Sequence, residues 1–161
     1  MVNQIIGDSN GDILMLNSGA LIKYDIHKER FKELLPAGVG ALATLDGEVW
    51  CTVRDTLFKY DTDADSLCFY RKLNVASVMC MEMSGGKIWI GAASGLYVVE
   101  GEEVKCVLPD IEIFKLFVSS RKELWIASRM QGLYRVGRDG KITKEEYSSE
   151  RVVSQQIRGF V

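Results

Sequence analysis

The chain has 161 residues, 47% of them hydrophobic, which is enough for a sizeable core and fits one compact domain by size. The formal net charge of -2 and the pI of about 5.5 argue against a basic surface, so a nucleic-acid partner is not expected. No apolar run approaches the roughly 18 to 20 residues of a membrane span, and the first residues lack the basic start and apolar stretch of a signal peptide. We therefore expect no membrane contact by this segment, although a leader or membrane helix could lie outside it.

One pattern occurs four times along the chain, in segments that start at Gly11, Gly47, Gly86 and Lys122. The first position that the copies share, here called the tryptophan slot, recurs at intervals of 36, 39 and 36 residues and is held by Leu14, Trp50, Trp89 and Trp125. The second, the leucine slot, is held by Leu21, Leu57, Leu96 and Leu133. The two slots lie 7 residues apart in three copies and 8 apart in the last, so one residue is inserted there. All three tryptophans of the chain fall in one slot, which indicates a repeat architecture.

The elements within each copy are predicted to be strands, because they are short, rich in β-branched and aromatic residues, and separated by Gly, Asn, Asp and Ser. In chain order, each copy has an apolar first strand, the strand of the tryptophan slot, a third strand at the leucine slot, and a more polar fourth strand. Residues 27–35 could also be drawn as a helical turn or two, but their counterparts in the other copies alternate as strands do. Four antiparallel strands in roughly 37 residues are the size of one β-propeller blade.

The sequence thus predicts an all-β fold, a single β-propeller segment of four blades over residues 1–161. The predicted blades are residues 4–35, 39–73, 77–109 and 112–148, and residues 155–161 would form the first strand of a further blade. The polar fourth strands are expected at the rim, where charged side chains protect an exposed sheet edge. The tryptophan slot is expected to pack between blades, with an aromatic platform for a ligand as the alternative.

The copies at Trp89 and Trp125 resemble the propeller repeats of the two-component regulator type, whose pattern is roughly Gly-x-Leu/Ile-Trp-Ile-Gly-Thr followed by Gly-Leu. The other two copies depart from it, with Leu14 in place of Trp and with Cys51 and Thr52 in place of Ile-Gly. Such repeats form the sensor region, usually periplasmic, of hybrid histidine kinases in gut Bacteroidetes. The resemblance implies a periplasmic sensor of an extracellular saccharide. We expect this segment to be noncatalytic and to bind no cofactor.

Four blades of this size seldom close a ring, so the first and last blades are expected to leave apolar faces exposed. An exposed apolar face of this kind calls for a partner. Further blades of a seven- or eight-bladed ring could cover these faces, and so could a second copy of the chain. The sequence leaves both alternatives open.

Few residues point to catalysis or to a metal. The single histidine, His27, lies in a polar turn and is expected at the surface. Residues 61–65 carry three alternating aspartates, but an EF-hand loop would need Gly and Glu where Ser66 and Lys72 stand, so an Asp-rich turn is favoured. The four cysteines form no CxxC pair, and buried free thiols are favoured over one disulfide. No catalytic residue and no metal site is predicted.

Ligand-binding residues are expected in the turns between the second and third strands, which in propellers line one end of the central channel. Two of these turns carry an arginine at nearly corresponding positions, with polar residues nearby. The candidates are Arg54, Arg129, Asn17, Ser94 and Gln131. Such groups could hydrogen-bond sugar hydroxyls or pair with a carboxylate, with ordinary solvated turn residues as the alternative.

Two other functions stay open from the sequence. The chain could be a protein-interaction scaffold that binds a partner at the channel mouth or the rim. It could also be a lyase or hydrolase, which would need several acids or a histidine at the channel mouth. Only Asp55 and a few link residues, such as Asp110 and Glu112, qualify for that role.

Overall fold

A computed structural model describes residues 1–146 of the chain. In that range every regular element is a strand, and sixteen strands form four sheets of four strands each. Each sheet consists of four consecutive strands in chain order, as in a propeller blade, so the predicted all-β fold with four blades is confirmed. No helix in this range is long and apolar enough to cross a membrane. The chain forms two compact units, Met1–Val78 and a second that starts at Met79.

The first unit contains the first and second sheets. The strands of the first sheet are β1 (Val2–Gly7), β2 (Ile13–Asn17), β3 (Ala20–Asp25) and β4 (Arg30–Leu35). Those of the second sheet are β5 (Val39–Leu45), β6 (Glu48–Val53), β7 (Thr56–Asp61) and β8 (Ser66–Lys72). Residues 30–35 are therefore a strand, and the helical alternative for this segment is wrong.

The core of the first unit lies between its two sheets. Leu14 and Leu21, which hold the two repeat slots of the first copy, are 0% and 1% exposed. They pack in one cluster with Leu42, Val49 and Cys51 of the second sheet. Because side chains alternate along a strand, this cluster uses one face of the first sheet and leaves the other face for solvent or a partner.

The second unit contains the third and fourth sheets. The strands of the third sheet are β9 (Val78–Ser84), β10 (Lys87–Ala92), β11 (Gly95–Glu100) and β12 (Glu103–Pro109). Those of the fourth sheet are β13 (Ile113–Val118), β14 (Leu124–Ser128), β15 (Leu133–Val136) and β16 (Ile142–Glu145). The predicted strand at residues 155–161 and the end of the predicted fourth blade lie outside the described residues.

The core of the second unit is built around Trp89, which is 9% exposed and packs in one cluster with Ile113 and Leu116 of the next sheet. For this copy the expected packing of the tryptophan slot between blades is confirmed. Close approach of the sheets requires glycine at position 91, because a Cβ there would lie 2.5 Å from Cys80 Sγ and 2.6 Å from Ile113 Cγ2.

The residue inserted in the last copy lies in a longer turn between β14 and β15. Ser128, which is fully buried, donates a hydrogen bond from Oγ to the carbonyl oxygen of Gly132 at 2.9 Å. The same Oγ accepts a hydrogen bond from the amide of Gln131 at 2.9 Å. The turn is thus closed by a side chain, which accommodates the extra residue without disturbing the strands.

The four cysteines are free, but only two of them are buried. Cys51 and Cys80 lie in the cores, whereas Cys68 and Cys106 are exposed on β8 and β12. The expectation of buried thiols is therefore wrong for the last two. The reason is their place on fourth strands, which form the outer edges of their sheets and are solvated.

Candidate functional site

Three of the five candidate residues meet in the second unit, around the link between its two sheets. The carbonyl oxygen of Ser94 accepts a hydrogen bond from the amide of Asp110 at 3.0 Å. The carbonyl oxygen of Asp110 accepts one from Gln131 Nε2 at 3.3 Å. Arg129 binds the link through Glu112, with Nε 2.7 Å from Oε1 and the amide nitrogen 3.0 Å from the carbonyl oxygen. We call these five residues the turn network.

Two tyrosine hydroxyls extend the turn network and were missed by the sequence analysis. Tyr97 OH lies 2.8 Å from Ser94 Oγ, and Tyr134 OH donates to Gln131 Oε1 at 3.4 Å. Both tyrosines are half-buried. Each follows the leucine slot of its copy directly, so the recurring Leu-Tyr pair at residues 96–97 and 133–134 was the signal that could have found them.

The charges of the turn network include one ion pair at its centre. The side chains of Arg129 and Glu112 are 53% and 36% exposed. Because an incoming anion would compete with Glu112 for the guanidinium, the pair favours a ligand that both donates and accepts hydrogen bonds. The hydroxyl of Ser94 and the amide of Gln131 can also do both. Such a surface can bind a polyhydroxylated molecule.

Asn17 and Arg54 lie in the first unit, in turns that correspond to those of the turn network. Asn17 ends β2 and is half-buried, whereas Arg54 follows β6, is exposed and has a φ of 54°. The amide of Arg54 donates a hydrogen bond to the carbonyl oxygen of Gly38 at 2.8 Å. The amide of Val39 donates one to the carbonyl oxygen of Gly19 at 3.0 Å. The candidate residues are therefore divided between the two units.

Asp55, another group that could act in acid or base catalysis, is held in an ion pair. Asp55 Oδ1 lies 3.0 Å from Lys72 Nζ and accepts a hydrogen bond from Thr56 Oγ1 at 3.2 Å. Lys72 holds the pKa of Asp55 below its ordinary value, and Thr56 acts in the same direction. A carboxyl kept in its charged form is a poor proton donor near neutral pH. His27 is exposed in a turn, where its amide donates to Asp25 Oδ1 at 3.1 Å.

A buried group of charges in the first unit was also missed by the sequence analysis. Lys23 on β3 is 6% exposed, with Nζ 2.9 Å from Asp12 Oδ2 and 2.7 Å from Asp65 Oδ1. Asp65 comes from the turn between β7 and β8, so this contact joins the two sheets. Tyr60 OH donates to Asp65 Oδ1 at 2.6 Å, and Lys32 Nζ lies 3.0 Å from Oδ2. We call these five residues the charge cluster.

The charge cluster stabilises Lys23, Asp12 and Asp65 in their charged forms. The hydrogen bond from Lys23, followed by that from Tyr60, holds the pKa of Asp65 well below its usual range. Lys23 and the amide of Ile26 lower the pKa of Asp12. Burial disfavours the Lys23 ammonium, but the hydrogen bonds to Asp65 and Asp12 outweigh it and raise the pKa. The cluster is therefore a structural contact rather than a place for proton transfer.

An acid and a cation recur at fixed positions of the repeat. An acid stands two residues before the tryptophan slot in three copies, and a Lys or Arg stands two residues after the leucine slot in the same three. The resulting ion pairs are Asp12–Lys23, Glu48–Lys59 and Glu123–Arg135. In the other copy Lys87 and Val98 hold these positions, and Lys87 pairs with Glu100. This spacing was the signal that could have identified the ion pairs.

Residues 61–65 form the Asp-rich turn that was favoured over a calcium site. Asp61 Oδ1 accepts hydrogen bonds from the amides of Asp63 and Ala64, each at 3.0 Å. Asp65 points to the charge cluster and has a φ of 51°. Over residues 1–146, no group of three or more His, Cys, Asp or Glu side chains is placed to hold a metal ion.

No family model and no curated protein matches the chain. Solved structures match its fold. The extracellular domain of BT4673 from B. thetaiotaomicron, assigned to a one component system, is 18% identical with a TM-score of 0.77, over 95% of this chain and 22% of that one. The extracellular domain of BT3049 from the same organism, assigned to a hybrid two component system, is 16% identical with a TM-score of 0.70, over 98% of this chain and 23% of that one.

A protein assigned as a gluconolactonase is also similar, with 10% identity and a TM-score of 0.63, over 88% of this chain and 61% of that one. At these identities the matches show a shared fold. The chain spans less than a quarter of the length of the two Bacteroides proteins. The expected likeness to the sensor propellers of Bacteroides two-component systems is confirmed at the level of structure.

Proposed function

We propose that the chain is a noncatalytic sensor module of a two-component signalling protein, and that it binds a small extracellular saccharide at the turn network. Its location would be outside the inner membrane, in the periplasm. The support for signalling and for location is the likeness in fold to extracellular domains of Bacteroides systems. The support for a saccharide is the chemistry of the turn network.

The observation that carries the proposal is the side-by-side arrangement of paired donors and acceptors at exposed turns. A sugar ring offers adjacent hydroxyls, each of which donates and accepts. The Arg129–Glu112 pair, with 2.7 Å between Nε and Oε1, offers a donor and an acceptor at a similar spacing. Gln131 and Ser94 add an amide and a hydroxyl beside it. Asn17 and Arg54 are separate candidates in the corresponding turns of the first unit.

The proposal is tested by thermal shift and calorimetry with neutral gluco-, xylo-, manno- and galacto-oligosaccharides and with oligogalacturonides. We expect at least one member to bind, and a ligand at 100 times its Kd stabilises the folded chain by about 2.7 kcal/mol. Arg129→Ala and Gln131→Ala are expected to weaken this binding at least tenfold. The matched control is Arg138→Ala, since Arg138 is exposed in the same sheet but lies in the turn between β15 and β16.

Two results would contradict the proposal. If no member of the panel binds at millimolar concentration, the saccharide reading is wrong and an interaction scaffold is favoured. If binding survives unchanged in both variants, the turn network is not the site, and Asn17→Ala and Arg54→Ala then test the turns of the first unit. Turnover of any panel member, measured by product analysis, would contradict the noncatalytic role and favour a lyase or hydrolase.

A further inference from the structure

Arg54 in the second sheet and Arg129 in the fourth hold the same place in the repeat. The amide of Arg54 donates a hydrogen bond at 2.8 Å to the carbonyl oxygen of Gly38, the last link residue before β5. The amide of Arg129 donates one at 3.0 Å to that of Glu112, the last link residue before β13. The pairing of β5 with β6 has the same register at this end as the pairing of β13 with β14. Gly38 therefore corresponds to Glu112.

The two arginines differ in what the link offers them. Arg129 has a carboxylate of its own chain, because Nε lies 2.7 Å from Glu112 Oε1. Glycine at position 38 offers Arg54 no such group. Over residues 1–146 the guanidinium of Arg54 forms no ion pair, and its side chain is exposed. The repeat thus keeps the arginine in both sheets and the acid in only one of them.

The Arg54 side chain lies against the bare backbone of the link. A Cβ at Gly38 would lie 3.8 Å from Arg54 Cγ and 4.0 Å from Nε. The backbone of Arg54 is fixed as well, with a φ of 54° and its amide bonded to Gly38. The space that the first atoms of an acidic side chain would fill at position 38 is therefore open beside the guanidinium.

The charges beside Arg54 favour an anion. The neighbouring acid, Asp55, is already paired with Lys72, with 3.0 Å between Oδ1 and Nζ. Arg54 therefore adds a positive charge that the turn does not balance. In the turn network the balance is reversed, since Asp110 and Glu112 together carry more charge than the one arginine. An anionic group is thus attracted to the turn of the first unit and disfavoured at that of the second.

We propose that Arg54 binds the carboxylate of a small ligand, in the way that Arg129 binds the carboxylate of Glu112. Pairs of arginine with carboxylate gain strength from parallel hydrogen bonds, which the planar guanidinium can donate. The inference rests on the proposed function for its choice of saccharides, so the ligand class is an acidic sugar such as a uronate. Arg54 then selects for an acid, whereas the turn network suits neutral ring hydroxyls.

The proposal is tested by NMR titration of the isotope-labelled full chain with trigalacturonate and with its methyl ester. The ester keeps the ring hydroxyls but has no charge. We expect the acid to shift the side-chain resonances of Arg54 and the ester to bind at least tenfold more weakly. Arg54→Gln should lose binding of the acid. The matched control is Arg138→Gln, which removes an exposed arginine from another turn and should leave this binding unchanged.

Two variants of the link test the role of the missing acid. Gly38→Glu supplies a carboxylate from a Cβ that would lie 4.0 Å from Arg54 Nε, and it should weaken binding of the acid at least tenfold. Gly38→Gln is the matched control, because it has the same size and the same strain at a φ of 91° but no charge. It should keep the affinity within about threefold. If neither variant folds, as judged by circular dichroism, Arg54→Gln and the ester decide.

Three results would overturn the proposal. They are no binding of trigalacturonate at about 10 mM, equal binding of the acid and its ester, and equal affinities of Gly38→Glu and Gly38→Gln. Failure of the proposed function is seen separately, because binding of neutral sugars at the turn network is tested through Arg129 and Gln131. Neutral binding without acid binding refutes only the Arg54 site, and acid binding that needs Arg54 supports this site even if no neutral sugar binds.

Discussion

Replacement of Lys23 by methionine tests whether the charge cluster holds the two sheets of the first unit together. Lys23 is 6% exposed, and its ammonium lies within hydrogen-bond distance of Asp12 and Asp65. Loss of one partner from a buried ion pair costs about 3 to 5 kcal/mol, because the other charge is left without compensation. Asp65 is 27% exposed and keeps Lys32 at 3.0 Å, so we expect a cost near the lower limit, about 3 kcal/mol.

This cost is measured by thermal and urea unfolding of the variant and the unaltered chain. For a chain of this size, 1 kcal/mol corresponds to about 2 to 4 °C, so the melting temperature should fall by about 6 to 12 °C. Lys59→Met is the matched control, because Lys59 holds the same repeat position but pairs with Glu48 where both side chains are more than 40% exposed. That change should cost less than about 1 kcal/mol. Equal melting temperatures for the two variants would refute the reasoning.

The charge cluster also makes stability depend on pH. The folded-state pKa values of Asp65 and Asp12 lie below those of the unfolded chain, so the unfolded state takes up protons first as the pH falls. The contribution is complete above the unfolded pKa of about 4 and is lost progressively below it. We therefore expect the stability difference between the unaltered chain and Lys23→Met to shrink from pH 6 to pH 3. A constant difference over that range would show that these carboxylates do not titrate with the cluster.

Two further predictions concern the cores. Gly91→Ala should destabilise the chain by about 1 to 3 kcal/mol, as measured by urea unfolding, because its Cβ would lie 2.5 Å from Cys80 Sγ. The matched control is Gly7→Ala, whose Cβ would meet nothing closer than 4.0 Å and which should be nearly neutral. Burial raises the pKa of Cys51 and Cys80 to about 12, so a thiol reagent at pH 8 should modify only the two cysteines of the fourth strands until the chain is unfolded. Rapid modification of all four thiols in the folded chain would contradict the second prediction.

The fold could be predicted because the same local signals occur four times. The copy at Leu14 lacks a tryptophan, yet its turn glycine and its leucine slot place it in the same frame as the copy at Trp89. Repetition also resolved the ambiguous segment at residues 30–35, whose helical appearance is local while its strand character is shared by every copy. Such agreement across copies outweighs the propensity of one segment.

The candidate site could be predicted only in part. The turn positions placed Ser94, Arg129 and Gln131 in one region, because corresponding turns lie at the same end of neighbouring sheets. The ion pair of Arg129 with Glu112 depends on the path of the link between the sheets, which the pattern of strands does not determine. The expectation that Cys68 is buried was wrong because it rested on the usual burial of cysteine and did not consider that the residue lies on an outer strand.

The recurring ion pair within a blade has a consequence for how such chains change in length. Three copies each carry one acid and one cation that meet across their central strands. Duplication or deletion of a whole copy of this kind therefore adds or removes both members of the pair, so neither charge is left without its partner. A copy gained or lost as a unit is thus electrostatically self-contained at these two positions.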